Sequence, residues 1–399
     1  MGSRTLRIGV VGAGARGALP LRAETPHNNA EIVCVAEPSP HAHERVTRAL
    51  KREIRIVSSH ESWTSSEIDA AFVLSPDDTH EDVTCDLLTR GIAVYLEKPL
   101  AITVEGATRI LQTAYETQTP LYVGHNMRHM SVVTILKEVV DSGTIGEVRA
   151  IWCRHFVGNG GDYYFKDWHA QRNRVNSLLL QKGAHDIDVM HWLAGSYTRN
   201  VVGMGSLGVY NTVESRRDNS DELMTEWFDY GAWPPEKQQN LNPTIDVEDL
   251  SMILMQLDNG ILASYQQCHY TPDYWRNYTV IGTRGRAENF GDTGGGVVRV
   301  WCDRVTYDPH PSIEIPIGDD AGGHQSADQR TVDEFIEFVR NGTPTQTSPI
   351  GAWYAAVTGA EAAYSLRHGS IPRTITDLPS DLVTYFSQPA SPPTVNEEP

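Results

Sequence analysis

The sequence predicts an α/β protein in two parts: an N-terminal doubly wound parallel sheet, then an α/β domain built on a mostly antiparallel sheet. Three observations carry this. Over the first 125 residues short apolar runs alternate with stretches of helical spacing, and strands that read as continuous apolar runs belong to a parallel sheet covered on both faces. After about residue 128 the chain becomes β-rich. Several of the later runs are separated by turn signals such as Asp258-Asn259-Gly260, a hairpin cue.

Element by element, 6–12 (LRIGVVG) reads as a buried strand and GARGALPLRAE after it as a helix. Residues 31–37 form a second strand, and 41–53 have helical spacing. Further apolar runs lie at 54–57, 69–75, 92–98 and 121–125, the last three separated by the helix-like HEDVTCDLLTRG and TVEGATRILQTAYETQ. Right-handed βαβ crossovers then wind the sheet in both directions. In the second part 147–156, 201–211, 248–257, 260–270 and 277–283 are β-rich, and one helix over 177–195 interrupts them. Residues 212–246 are polar and charge-rich and are expected as a long insertion, the kind of loop that is functional or disordered. Helices over 329–341 and 352–368 close the fold, and 381–399 are expected as a disordered tail. The expected domains are 1–126 and 127–380.

Bulk properties narrow the classes. A chain of 399 residues suits two or three domains at about 100–200 residues each. The formal charge of −18 argues against sequence-independent binding to nucleic acid or to an anionic membrane, both of which want clustered Lys and Arg. The five cysteines, at 34, 85, 153, 268 and 302, are scattered and form no CxxC pair, as free thiols in a reducing compartment would be. The apolar stretch Leu6–Leu19 is broken by Arg7 and Arg16 and is no signal peptide, and no run reaches the roughly 18 apolar residues of a membrane span. A cytoplasmic protein is expected.

Gly12-Ala13-Gly14-Ala15-Arg16-Gly17 is a GxGxxG that directly follows a strand. In that context the first glycine allows a tight turn, the second the close approach of a pyrophosphate, and the third close packing; the amides of a following helix would meet the phosphate charge. Glu37, twenty positions after Gly17 at the end of the second strand, either accepts from adenosine ribose hydroxyls or caps a loop. As a ribose acceptor it would repel a 2′-phosphate, so NAD is preferred, while Arg45 and nearby histidines keep NADP open. Hydride transfer from a carbinol also needs a group that removes the hydroxyl proton. Lys98 ends an apolar strand, where ligands of open α/β sheets bind, and Pro99 restricts its backbone. Glu97 points to the other strand face, as a cofactor contact or a structural support.

Taken in order, the glycine fingerprint, Ser75-Pro76-Asp77-Asp78-Thr79-His80, Glu97-Lys98-Pro99 and Gly183-Ala184-His185-Asp186-Ile187-Asp188 resemble the Gfo/Idh/MocA oxidoreductases, relatives of glucose–fructose oxidoreductase and inositol dehydrogenase, over about residues 5–370. The resemblance implies a Rossmann domain followed by an α/β domain with a large open sheet, and NAD-dependent chemistry on a hydroxyl/ketone pair of a sugar, glycoside or polyol. It also implies a homodimer or homotetramer. Lys98 is then the catalytic lysine and His185 the acid/base or substrate-binding group, against the plainer reading of a core histidine. Cofactor contacts are expected from Gly12, Gly14, Ala15, Arg16, Gly17, Glu37, Ser75, Pro76, His80, Glu97, Lys98 and Asn126.

One departure stands out. The family's Asp-x-Gly-x-His has Gln181 at its first position, followed by Lys182. Gln181 cannot ionise, so Lys182 or His185 carries the proton work, or the chemistry differs; Lys182 could also bind an anionic substrate group or simply open a helix. Substrate contacts are expected from Arg128, Tyr163, Trp168, His169, Gln181, Asp188 and His269, with Tyr270, Tyr274, Trp275 and Arg276 beside the last. Aromatic faces of this kind pack on sugars or serve as core. His185, Asp188 and His191 do not share one helix face, so no metal is expected. The leading reading is a sugar or polyol dehydrogenase; the alternative is an NAD-dependent glycoside hydrolase working by transient oxidation, elimination, hydration and re-reduction. A non-catalytic nucleotide sensor is the third reading.

Overall fold

The structure, a computed structural model, describes residues 4–223, 227–306, 308–318 and 324–387. The chain divides into two compact units. The first gathers Met1–His125, Asp328–Trp353 and Asp377–Pro399. Its sheet runs β3(Arg55–Val57)-β2(Ala30–Ala36)-β1(Leu6–Val11)-β4(Ala70–Val73)-β5(Ala93–Leu96)-β6(Leu121–Val123). Every pairing is parallel. Strands β4, β5 and β6 are buried at each residue, as strands covered on both faces must be. Helices α1 (Pro40–Leu50), α2 (His80–Thr89) and α3 (Val104–Thr117) connect them.

The expected helix after β1 is not formed. Turns follow the glycines, then only a five-residue 3₁₀-helix, Leu19–Ala23. Pro20 lies inside that segment and has no N–H to give the Arg16 carbonyl, which receives the Leu19 amide instead. Helix α9 (His324–Asn341) adds cover to the same face. Its Val332, Phe335, Ile336 and Val339 share a core with Leu19, Ala23, Ile8, Val10, Ile32, Phe72, Tyr95 and Tyr122. The Phe335 ring meets Phe72 at 5.3 Å and Tyr95 at 5.5 Å between centroids. The expected contiguous domain 127–380 therefore gives up α9: residues 332, 335, 336 and 339 form one apolar helix stripe, and the parallel sheet is what buries it. The expected tail is corrected too. Residues 381–387 lie in α11 (Ser380–Ser387), whose Leu382 is fully buried and whose Tyr385 ring packs edge-on to Tyr115. Residues 388–399 lie outside the described residues.

The second unit holds Asn126–Ala327 and Tyr354–Thr376. Among the described residues its nine strands are β7 (Val148–Val157), β8 (Thr198–Ser206), β9 (Leu250–Leu257), β10 (Leu262–Cys268), β11 (Tyr274–Gly282), β12 (Arg286–Phe290), β13 (Val297–Trp301), β14 (Ile313–Pro316) and β15 (Arg373–Thr374). They are ordered β14-β13-β12-β11-β7-β10-β9-β8-β15. Only β7–β10 is parallel; the other pairs run antiparallel. Strands β12 to β14 and helix α4 (Ser131–Asp141) were not expected. The single helix over 177–195 is instead two, α7 (Leu178–Gln181) and α8 (Gly183–Ala194), after the short α5 (Gly160–Tyr164) and α6 (Arg172–Val175). Helix α10 (Pro349–Arg367) has its residues from Tyr354 onward in this unit.

The described residues of 212–246 are largely irregular yet packed. Val213 and Leu241 join a core with Phe165, Tyr210 and Val247, and the Asn219 amide donates to the carbonyls of Lys166 and Asn240, each at 2.8 Å. The sheet is two-faced: along β9, Ser251, Ile253, Met255 and Leu257 are buried while Met252 and Leu254 are 47% and 62% exposed. Trp152, Met204 and Leu262 on neighbouring strands are also exposed.

Phe335→Ala should cost about 3–5 kcal/mol, the usual range for a buried phenylalanine. Denaturant unfolding followed by far-ultraviolet circular dichroism measures it; a change below about 1 kcal/mol would show that α9 is dispensable to the first unit.

Candidate active site

The carboxyl edge of the parallel sheet brings three motifs side by side. Val11 pairs with Val73, and Val73 with Leu96, so Gly12, Ser75 and Lys98 follow the ends of adjacent strands β1, β4 and β5. This is the edge on which ligands of open α/β sheets bind, at the point where strand order reverses. Gly12 has φ +88°, and a Cβ there would lie 2.8 Å from the Ser75 nitrogen, so both backbone and space demand glycine. Gly14 faces open space, with nothing within 4 Å of an added Cβ, and Ala15 beside it is exposed. A Cβ at Gly17 would press at 3.1 Å on the Ala13 carbonyl. Glu37 is 8% exposed and accepts from the amides of Ala13 and Ser39, each at 2.8 Å. A tight turn, an open second glycine and a carboxylate behind the loop fit a dinucleotide.

Several expected cofactor residues are committed elsewhere. The Arg16 guanidinium donates to Glu97 at 2.8 Å and to both oxygens of Asp328 at 2.8 and 2.9 Å. Burial alone would lower its pKa, but the Glu97 and Asp328 charges outweigh that and push it up. Glu97, 7% exposed, also accepts from the Lys98 amide at 3.1 Å. Arg16 and Glu97 therefore tie the glycine loop to the Lys98 segment. His80 is 1% exposed; its Nδ1 lies 2.7 Å from the Pro99 carbonyl and its Nε2 3.0 Å from that of Ser75. Both ring nitrogens face main chain, so His80 shapes the two loops rather than meeting a cofactor. The Thr79 hydroxyl donates to the Pro76 carbonyl at 2.7 Å and lies 2.6 Å from the Ser75 hydroxyl. Lys98 is half-buried.

In the second unit Asn126 and Arg128 lie on a buried 3₁₀ turn, Asn126–His129. Arg128 forms a two-pronged pair with Asp188, at 2.7 and 2.6 Å, with both side chains buried. The two expected substrate residues thus hold each other in a buried, bidentate guanidinium–carboxylate pair. His191 is likewise engaged, its Nε2 2.7 Å from the Thr198 hydroxyl and accepting the Thr198 amide at 3.2 Å.

His185 and Lys182 lie at the start of α8, 5% and 6% exposed, with Gln181 just before them at 6%. The Lys182 ammonium donates to the Tyr274 hydroxyl at 3.2 Å. His269 is fully buried, with Tyr164 edge-on at 5.2 Å. Burial, with His155 and Lys182 nearby, pushes its pKa well below the ordinary value. It is a buried neutral ring rather than a surface contact. Trp168 stacks on His169 at 3.7 Å, and the His169 Nδ1 lies 2.6 Å from Asp167. Tyr163 and Trp168 pack against the core around Phe165.

Sequence reasoning quoted Asp186 only as part of a motif, yet it is the hub of this unit. Fully buried, it accepts from the hydroxyls of Tyr265 at 3.0 Å and Tyr278 at 2.5 Å, and it faces Arg276 and His155, each at 3.1 Å. Burial would raise its pKa; Arg276 and His155 hold it well below the carboxylate range. Burial and the Arg276 charge in turn depress His155 to about 3. The i, i+1 spacing to His185 concealed it, because adjacent helix residues face different ways.

Residues 6–125 match the family model described as "Oxidoreductase family, NAD-binding Rossmann fold", and 133–288 match the Gfo/Idh/MocA C-terminal domain. The chain belongs to the Gfo/Idh/MocA oxidoreductase family. It is 31% identical over 220 residues to the inositol 2-dehydrogenase of Rhizobium meliloti (strain 1021), covering 52% of this chain and 64% of that one. It is 33% identical over 195 residues to that of Burkholderia cenocepacia (strain HI2424), covering 48% and 55%. The aligned region thus spans less than two thirds of either relative. Among solved structures, levoglucosan dehydrogenase in complex with NADH superposes with a TM-score of 0.75 at 16% identity, over 94% of this chain and 100% of that one.

Two outcomes are expected. Arg128→Met strands a buried Asp188 and should cost about 3–5 kcal/mol in denaturant unfolding; a pure substrate contact would raise KM and leave stability unchanged. His155 and His191 are depressed to about 3 and about 4, each chiefly by burial. Unfolded histidine titrates near about 6.5, so below that the unfolded chain binds more protons and stability is lost as pH falls. The urea midpoint should therefore drop from pH 7 to pH 5, and a flat profile across that interval refutes the assignment.

Proposed function

We propose that this oxidoreductase moves hydride between NAD and a hydroxyl/ketone pair of a sugar, glycoside or polyol. The observation that carries it is the alignment of Gly12, Ser75 and Lys98 at the ends of three adjacent parallel strands. The glycine loop would hold the dinucleotide, with Glu37 on the adenosine ribose and against a 2′-phosphate. When bound, the nicotinamide supplies the hydride acceptor or donor. By the family resemblance Lys98 would be the catalytic lysine and His185 the acid/base or substrate-binding group, with the second unit setting specificity. Relatives named inositol 2-dehydrogenase and a structural neighbour named levoglucosan dehydrogenase support a polyol or sugar substrate. No observation favours the glycoside-hydrolase alternative.

The exposed apolar residues Trp152, Met204, Met252, Leu254 and Leu262 lie on one face of the nine-stranded sheet. An apolar patch of that kind marks an interaction surface, and we assign it to a homodimer or homotetramer. Among the described residues no helix is long and apolar enough to cross a membrane; with unpaired cysteines, a cytoplasmic location fits.

The test is incubation with NAD and a panel of free sugars, polyols and glycosides, following reduced nicotinamide and released aglycone together. NADH should accumulate with a free sugar or polyol; aglycone release without NADH would overturn the reading. Lys98→Ala should lower kcat/KM by about 10²–10⁴-fold while NADH fluorescence titration shows unchanged affinity. Leu254→Asp with Leu262→Asp should shift the sedimentation coefficient to that of a monomer.

A further inference from the structure

Next to the non-ionisable Gln181 the second unit places a buried cation on a phenol. Lys182 is 6% exposed, and its Nζ lies 3.2 Å from the Tyr274 oxygen, 5.9 Å from the Tyr274 ring centroid and 5.8 Å from that of Tyr164. An ammonium can only donate, so the Tyr274 oxygen is the acceptor and its own proton points elsewhere. Burying a cation is costly unless a charge or strong acceptor answers it. Among the described residues no carboxylate forms an ion pair with Lys182. The phenols of Tyr274 and Tyr164 are what answers it. Tyr274 opens β11 on the same strand face as Arg276 and Tyr278, and the residue is 37% exposed where Lys182 is 6% exposed. The residue that accepts from the lysine is thus partly open to solvent, while the lysine itself is closed off.

We propose that Tyr274, its oxygen held by Lys182, is a further proton-transfer residue of this enzyme, contacting the hydroxyl that is oxidised or the ketone that is reduced. This rests on the oxidoreductase reading above. In the oxidation direction the Tyr274 phenolate would take the substrate O–H proton, and the oxidised nicotinamide, when bound, would supply the acceptor for the C–H electron pair that leaves as hydride. The C–O bond becomes C=O, and the phenol returns its proton to water. Lys182 keeps its protons throughout and acts as a positioning residue. The proton managed at the reacting oxygen thus passes to Tyr274, and the chain supplies an ionisable group where Gln181 cannot.

The surroundings favour that ionisation. Burial alone would push the Tyr274 phenol up, but the charges of Lys182 and then Arg276 bring it down, against Asp292, which raises it. The other groups facing it are His155, edge-on at 5.8 Å and kept neutral by burial, and the phenols of Tyr163 and Tyr164, which burial pushes upward. Burial would likewise lower Lys182, but Tyr164 and Tyr274 raise it, so it stays protonated. His269, also near Lys182, is neutral.

The experiment needs no substrate in its first arm. Ultraviolet phenolate titration of the full chain should show one of the sixteen tyrosines ionising below the ordinary value of about 10. Tyr274→Phe should remove that step, Lys182→Met should move it up toward the ordinary value, and Lys182→Arg should restore most of it. Circular dichroism verifies that each variant is folded. In the second arm the pH profile of kcat/KM for oxidation should rise through the same titration. Tyr274→Phe should lower kcat/KM by about 10²–10⁴-fold and flatten that limb, Lys182→Met should shift it to higher pH, and NADH affinity should not change. The absence of a low-titrating phenolate overturns the proposal, as does a Tyr274→Phe enzyme with wild-type turnover; in both cases the oxidoreductase reading stands. A wild type that reduces NAD with no member of the panel overturns that reading, and the catalytic role of Tyr274 with it, even where the optical step is present.

Discussion

The second unit depends on a carboxylate with no access to water. Asp186 on α8 is met by His155 from β7, Tyr265 from β10, and Arg276 and Tyr278 from β11. A charge taken out of water is tolerated only where hydrogen bonds and an opposite charge replace hydration, so these groups lock one helix onto three strands in one register. Lys182 and His185 stand at the start of that helix, and Tyr274 opens one of those strands. Their placement follows from the lock rather than from their own contacts. The nearby rings His155 and His269 are uncharged for the same reason: burial next to Arg276 and Lys182 leaves no room for more positive charge.

The first unit solves a different problem, that of holding a loop which must stay open. Gly14 faces empty space, so the loop cannot be fixed by packing at its tip. It is fixed from behind, by Glu37 on the Ala13 amide and by Arg16 between Glu97 and Asp328. His80 fastens the Ser75 and Pro99 carbonyls in the same way. The side chains that look from their motifs like ligand contacts are thus in large part the frame that presents main chain and Lys98.

The parallel sheet was legible because buried strands and their glycine turn have signatures that depend only on near neighbours in sequence: β1, β2, β4, β5 and β6 fall within a few residues of their apolar runs. What escaped depends on distance along the chain. Nothing local in Val332, Phe335, Ile336 and Val339 says which sheet they cover. Pro20 was the local warning that the turn after β1 would not continue as an α-helix. In the second unit β12 to β14 were missed because short, charge-bearing strands such as RAENF lack a continuous apolar run. At the site, the motif lysine and histidine stand out in the sequence, whereas the pairing of Arg128 with Asp188 and the central place of Asp186 do not. Side-chain pairing across sixty residues has no sequence signal in one chain.

Helix α9 has a consequence for biosynthesis. Domains tend to fold in the order in which they emerge from the ribosome, but here the opening Rossmann sheet keeps part of its hydrophobic cover in residues 328–353. While the intervening two hundred residues are being made, the face bearing Phe72, Tyr95 and Tyr122 waits for Phe335, and Arg16 waits for Asp328. The nucleotide loop of the nascent chain therefore reaches its final rigidity only after residues 328–339 have been made.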